Sequence, residues 1–263
     1  MQQVGAAILS CGLFLLAGIA GLVVRAYLPE RHRDRDTLDF VRLAVGALVT
    51  FLAIVLGLLT ASSKAHFDDV SDSYRRMAAE LAQLDSQLRA VGDETAPIRA
   101  EMRAYLAAVI ASTWPDEPAP SGSYLHGLPA GQAEATPLTA LLRHAEAQIL
   151  ALQKQHPPEA NLLSVVMNHY IAFTSARWAV IETDHPTVPQ AFYELMLFWT
   201  ALMFMGFGLC APHNRVVAVT VLICAVSLAS VIYVILELDD PSQGLIAVSS
   251  APLREALVDM DRM

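Results

Sequence analysis

Residues 40–91 read FVRLAVGALVTFLAIVLGLLTASSKAHFDDVSDSYRRMAAELAQLDSQLRAV, and this stretch changes character halfway without any sign of a break. Phe40 to Ala61 is apolar over a length sufficient to cross a hydrocarbon core of about 30 Å, which takes about 20 helical residues. From Phe67 onward charged residues return, yet Phe67, Val70, Tyr74, Met77, Leu81, Leu84, Leu88 and Val91 keep the alternating three- and four-residue spacing of a heptad seam. No proline or glycine interrupts Leu58 to Val91. The stretch therefore predicts one helix from Phe40 to Val91, roughly 75 to 80 Å long at 1.5 Å per residue. More than half of it must project into water, so its apolar seam requires partner helices.

Three more runs match the apolar half: Val4 to Val24, Ala191 to Cys210 and Val216 to Leu238. The first has no basic residue before it and is too long for the core of a secretion signal, so it reads as a mature span. Composition agrees with a membrane, because 55% of the 263 residues are hydrophobic and only 16% are charged. The net charge of −9 argues against a nucleic-acid partner, which needs a basic face. Short loops orient such chains by their arginines and lysines. Arg25, Arg31, Arg33, Arg35 and Arg42 surround the first loop and Arg215 follows the second, which places both loops in the cytoplasm. The N-terminus, the C-terminal tail and the region from Ser62 to Gln190 are then expected outside.

Within that region the helical partners are Pro97 to Thr113, Pro137 to Gln155 and Pro158 to Ile181. Ile98, Met102, Tyr105 and Val109 mark the apolar face of the first, Leu138, Leu142, Ala145, Ile149 and Leu152 that of the second, and Val166, Tyr170, Phe173 and Val180 that of the third. Together they predict an antiparallel bundle or coiled-coil hairpins, with Pro115 to Thr136 as a long loop. After the fourth span, Asp239, Asp240, Pro241 and Gly244 form a turn. Ser250 is placed to cap a last short helix presenting Leu253, Leu257 and Met260. The expected fold is an all-α integral membrane protein: four transmembrane helices with a long helical extramembrane bundle inserted between spans two and three. Its parts are a first transmembrane hairpin (1–61), the bundle (62–190), a second hairpin (191–238) and a C-terminal turn and helix (239–263).

Few residues carry chemistry. In span two, Gly46, Thr50, Ala53, Gly57 and Thr60 make a small, weakly polar stripe that either lines a wet path in an oligomer or lets helices approach closely. Thr220, Cys224, Ser227 and Ser230 repeat the pattern in span four. Arg42 and Glu194 lie near span ends, on opposite sides of the membrane, and either snorkel or act. Around a channel, Arg25 and Arg42 would make a basic mouth that favours anions. Asp68, Asp69 and Asp72, like Asp239 and Asp240, lack the loop of a calcium site and read as solvated acids. The eight histidines show no metal-ligand spacing. Cys11, Cys210 and Cys224 all fall in spans and cannot staple the bundle. No phosphate loop or nucleophile motif is present, so neither enzyme nor cofactor is expected. Met196, Met203 and Met205 with Phe198, Trp199 and Phe207 read as packing in span three.

Several segments carry a resemblance: Leu56 to Lys64, Leu84-Asp85 with Val91 to Glu94, Trp114-Pro115, Ala176-Arg177-Trp178, Phe198-Trp199, Phe207 to Pro212, and Ile235 to Pro241 running on to Leu253. With them the chain resembles the bacterial bestrophin-like membrane proteins over almost its whole length. The basic residue and aromatic usual around that last proline are Asp240 and Ser242 here. The resemblance implies a multi-pass protein of the bacterial inner membrane, and through distant kinship with pentameric chloride-conducting bestrophins it implies an ion channel. The leading expectation is thus a homo-oligomer that conducts small ions, chiefly anions, along an axis lined by span two, with the lipid bilayer as its other partner. The rival expectation is a non-conducting membrane-anchored scaffold or envelope sensor that acts through its bundle.

Overall fold

The computed structural model describes residues 2–29, 35–127, 136–155, 160–183, 188–212, 214–239, 241 and 246–262. The described residues form helices and no strand: α1 (Gln2–Tyr27), α2 (Arg35–Val91), α3 (Ala96–Thr113), α4 (Thr136–Gln155), α5 (Ala160–Thr183), α6 (Gln190–Cys210), α7 (Arg215–Asp239) and α8 (Ala251–Asp261). A 3-10 turn, Asp93–Thr95, links α2 to α3. Helices α1, α2, α6 and α7 are long and apolar enough to span a membrane.

Helix α2 is continuous over 57 residues and starts at Arg35, ahead of the expected Phe40. Its first turn is polar, with Asp36 inside it and Asp39 accepting from Arg42 at 2.8 Å, so hydrophobic periodicity misses that turn. It ends at Gly92, whose φ of +123° stops the helix in a region that side chains with a Cβ avoid.

The chain divides into two compact units, residues 1–66, 186–240 and 244–246, and residues 67–185, 241–243 and 247–263. In the first unit, α1 and α6 run parallel: Ser10 meets Tyr193 at 3.1 Å, Phe14 stacks on Phe204 at 5.3 Å, and Gly21 lies on the backbone of Met205. The membrane half of α2 runs antiparallel to α6, with Phe51 edge-on to Trp199 at 4.8 Å and Val45 over Gly206. The approach of α1 to α6 depends on glycine. A Cβ on Gly21 would collide with the Met205 carbonyl, and one on Gly208 with that of Gly18. Lipid tails are as apolar as leucine, so spans gain by close contact of backbones, which such positions allow.

The second unit packs its helices around an apolar core of its own. The seam of α2 is buried from Val70 through Tyr74, Met77, Leu81, Leu84 and Leu88, while Phe67 and Val91 pack partly exposed at its ends. Helix α3 departs from the one-sided reading, since Tyr105 through Ile110 are all buried, including positions off the expected face. It is the central helix, covered all round, and its uncharged run from Ala104 to Thr113 is the sequence counterpart. Leu253, Leu257 and Met260 of α8 are buried in the same core. Ser250 precedes α8 but does not cap it. Its hydroxyl donates to Glu117, and the Ala251 N–H is taken by Ser249 Oγ at 3.2 Å.

Candidate functional site

Within the membrane half of α2, two stripes lie side by side. Val45, Leu48, Leu52, Leu56 and Leu59 turn into the first unit, where Leu52 is 2% exposed. Gly46, Thr50, Ala53, Gly57 and Thr60 follow at about 100° around the helix, the rotation that separates residue i from i+1. All but the half-buried Thr60 are exposed, and a Cβ on Gly46 or Gly57 would meet nothing within 4 Å. The small stripe therefore does not pack within its own subunit. Thr50 donates to the Gly46 carbonyl at 3.0 Å and Thr60 to that of Leu56 at 2.8 Å. These hydroxyls are satisfied within their own helix and still offer lone pairs outward.

Three arginines gather at the end of the first unit where α1 and α6 finish and α2 and α7 begin. Arg25 donates to the Ala211 carbonyl, closing the end of α6. Arg42 is exposed and held by Asp39 on its own helix, and Arg215 opens α7. Glu194 is exposed near the start of α6, at the other end, and accepts from Gln190 at 3.0 Å. The structure thus keeps Arg42 and Glu194 apart and engages Arg25 with backbone.

The carboxylate buried deepest in the spans was not singled out by sequence. Glu237 of α7 is 2% exposed and its Oε2 accepts the Ile246 N–H at 3.3 Å. Asp239, also buried, accepts the Val188 N–H at 3.1 Å. Both acids hold chain segments that flank spans, because a buried carboxylate needs donors. The signal was present in the sequence, an acid inside the apolar run of span four. Pro241 is buried and its carbonyl accepts the Val248 N–H at 3.0 Å, whereas Asp240 and Gly244 lie outside the described residues. The span-three cluster is split: Met196 and Met203 are buried, but Phe198 and Met205 face outward, as helical rotation demands of neighbours one or two residues apart. Asp72 pairs with Arg75 at 3.2 Å, and among the described residues no three metal-ligating side chains converge.

The second unit holds a charged junction. Asp85, buried, receives Arg89 from its own helix at 2.6 Å and Arg99 of α3 at 2.8 Å. Arg89 also donates to the Arg262 carbonyl at 2.6 Å and to that of Asp259, and Arg99 to that of Met260 at 3.4 Å. Two arginines oriented by one carboxylate therefore take up carbonyls at the C-terminus of α8. Asp261 pairs with Arg103, whose hydrogen bond holds its carboxyl below the usual range and in turn raises the guanidinium. Trp114 Nε1 donates to the Val248 carbonyl at 2.8 Å, and Arg254 to Glu117 at 2.9 Å. Arg177 is buried and donates to Thr139 Oγ1 at 3.3 Å. Burial pushes the nearby Tyr105 hydroxyl up to about 12, with the Arg177 charge opposing. These long-range partners, which sequence reasoning did not pair, include several residues that carried the resemblance.

A model of the Bestrophin-like domain matches residues 11–253. No curated protein is detectably similar in sequence. Solved structures of a bacterial bestrophin homologue from Klebsiella pneumoniae share the fold. One single-substitution form has a TM-score of 0.71 at 15% identity, covering 98% of this chain and 99% of that one. Another has 0.70 at 17% identity over 97% and 99%, and the form phased with zinc has 0.69 at 14% identity over 96% of each. The match spans nearly the whole chain and the structural likeness covers both units, so this membrane-embedded protein belongs to the Bestrophin-like family.

Proposed function

We propose that the protein is a homo-oligomeric channel for small anions, with the outward stripe of α2 turned toward the axis of the assembly. The observation that carries this reading is the open space around Gly46 and Gly57. The side chains of α2 that the subunit needs for its own packing lie on the adjacent stripe, leaving small residues and two threonine hydroxyls for a shared axis. A hydroxyl can rotate from its helix carbonyl to a passing anion at a cost of roughly one hydrogen bond, about 1 kcal/mol. Arg42 stands exposed near the arginine end of the same helix, where a positive potential concentrates anions.

Chloride flux into proteoliposomes, compared with potassium flux and with empty vesicles, tests the proposal. Gly57→Leu fills the path without touching the subunit core and should abolish chloride flux while the purified oligomer keeps its size. Unchanged flux through an intact Gly57→Leu oligomer overturns the role of α2. Absence of flux in folded, oligomeric wild type favours the scaffold reading. The arginine end is the one assigned to the cytoplasm by loop charge. An impermeant thiol reagent reaching Ser123→Cys in intact cells supports that orientation, and protection until lysis reverses it.

A further inference from the structure

A groove of about 540 Å³ opens between α1, the end of α6 and the start of α7. Its walls include Ile19, Leu22, Val217 and Val221, and Asn214 and Arg215 stand at its mouth. Its helical walls belong to α1, α6 and α7, all apolar enough to span a membrane, so an acyl chain suits the groove. The cavity exists because Gly18 and Gly208, where α1 and α6 meet backbone to backbone, also line it and contribute no side chain. Its size falls within the range of ligand pockets, about 300 to 1,000 Å³.

The mouth is charged. Among the described residues no carboxylate lies within ion-pair distance of Arg215, and α7 has no acid in its first turn. Asn214 uses its Oδ1 to accept the Val216 N–H at 3.1 Å, so its amide N–H groups are the part left to donate. Arg25 adds a second guanidinium beside the groove, bonded to the carbonyl of Ala211, a lining residue. An apolar slot that ends in the Arg215 guanidinium and the Asn214 amide at a span end matches one amphiphile, an acyl chain attached to a negative phosphate. A free anion has no use for the slot, and a zwitterionic headgroup carries its own compensating cation.

We propose that this groove binds an anionic glycerophospholipid, with an acyl chain along α1 and α7 and its phosphate at Arg215 and Asn214. The site is independent of conduction, since it is read by retained lipid. Native mass spectrometry of the purified oligomer, loaded with phosphatidylglycerol or with phosphatidylcholine of the same chains, tests it. The expected result is retention of phosphatidylglycerol with a preference of about tenfold, reduced to the phosphatidylcholine level in Arg215→Gln. Ala218→Trp, which fills the groove from α7, should lower retention of both lipids, with Val217→Trp as a second filler where the first does not fold. Helix content and the thermal transition confirm that each variant is folded.

Equal retention of the two lipids by wild type, or an unchanged preference in Arg215→Gln, overturns the proposal. So does displacement of the lipid by inorganic phosphate alone, which would mark a simple anion site. A folded Ala218→Trp chain that no longer assembles would make the groove a contact between subunits and overturn it equally.

Discussion

The α1–α6 crossing of the first unit and the Asp85 junction of the second both join helices that are distant in sequence, but by opposite means. At the crossing there is almost nothing between the helices: Gly21 rests on Met205 and Gly208 on Gly18, backbone against backbone. At the junction the space is filled by long side chains, with Arg89 and Arg99 bridging a buried carboxylate to the end of α8. The surroundings explain the contrast. Lipid gives helices no reason to hide leucine, so contact distance decides, and glycine shortens it. Water rewards burying the seam of α2, and the polar ends of a docked helix must then find donors.

The comparison breaks most visibly at Gly208. Gly208→Leu drives a side chain into the Gly18 carbonyl and should cost more than about 4 kcal/mol, seen as loss of monodisperse protein after purification. Gly46→Leu, the same change in open space, should leave the thermal transition in place. Equal tolerance at the two sites would refute the close-crossing account. Next in size is Asp85→Ala, which strands two arginines and loosens α8. A loss of about 3–5 kcal/mol is expected from a broken buried pair, with faster proteolysis at the C-terminal helix. Protection of α8 unchanged from wild type would show that its apolar face alone holds it.

The smallest effect sharpens the picture of the second unit. Asp261 titrates below its usual value because Arg103 bonds to it, so the pair stabilises above the unfolded pKa of about 3.9 and is lost as pH falls through the lower folded value. The pair is partly exposed, which limits it to about 0.5 kcal/mol. The thermal midpoint of Asp261→Asn should therefore sit slightly below wild type at pH 7, and the gap should narrow as pH falls from about 4 through the lower folded value. A gap undiminished at about pH 2 would mean that the asparagine disturbs something other than the ion pair.

What the sequence made legible follows the strength of each physical signal. Twenty apolar residues in a row have few uses besides crossing a bilayer, and the seam from Val70 to Leu88 repeats long enough to announce a buried face. Helix α3 was underestimated because periodicity detects one-sided burial, and a helix covered all round has none. The carbonyls that Arg89 and Arg99 take up could not be read, since α8 lies more than 150 residues away in the chain. Within α2, the outward stripe and the inward one differ by a single position, and both are composed of residues at home in lipid. Only the packed neighbours reveal that Leu52 faces in while Ala53 faces out. Glu237 is legible as an acid inside an apolar run, whereas its partner, the Ile246 N–H, is not.

The docking of α8 sets an order in time. Leu253, Leu257 and Met260 belong to the core that α3 occupies, yet the ribosome makes them only after it has made α7, the last span. During synthesis the chain therefore inserts its final membrane helix while Arg89 and Arg99 still wait for the carbonyls they will cap. The second unit reaches its finished state after the first has all its parts. Until then an apolar surface lies uncovered beside a growing polypeptide, and its protection falls to whatever chaperones attend the nascent chain.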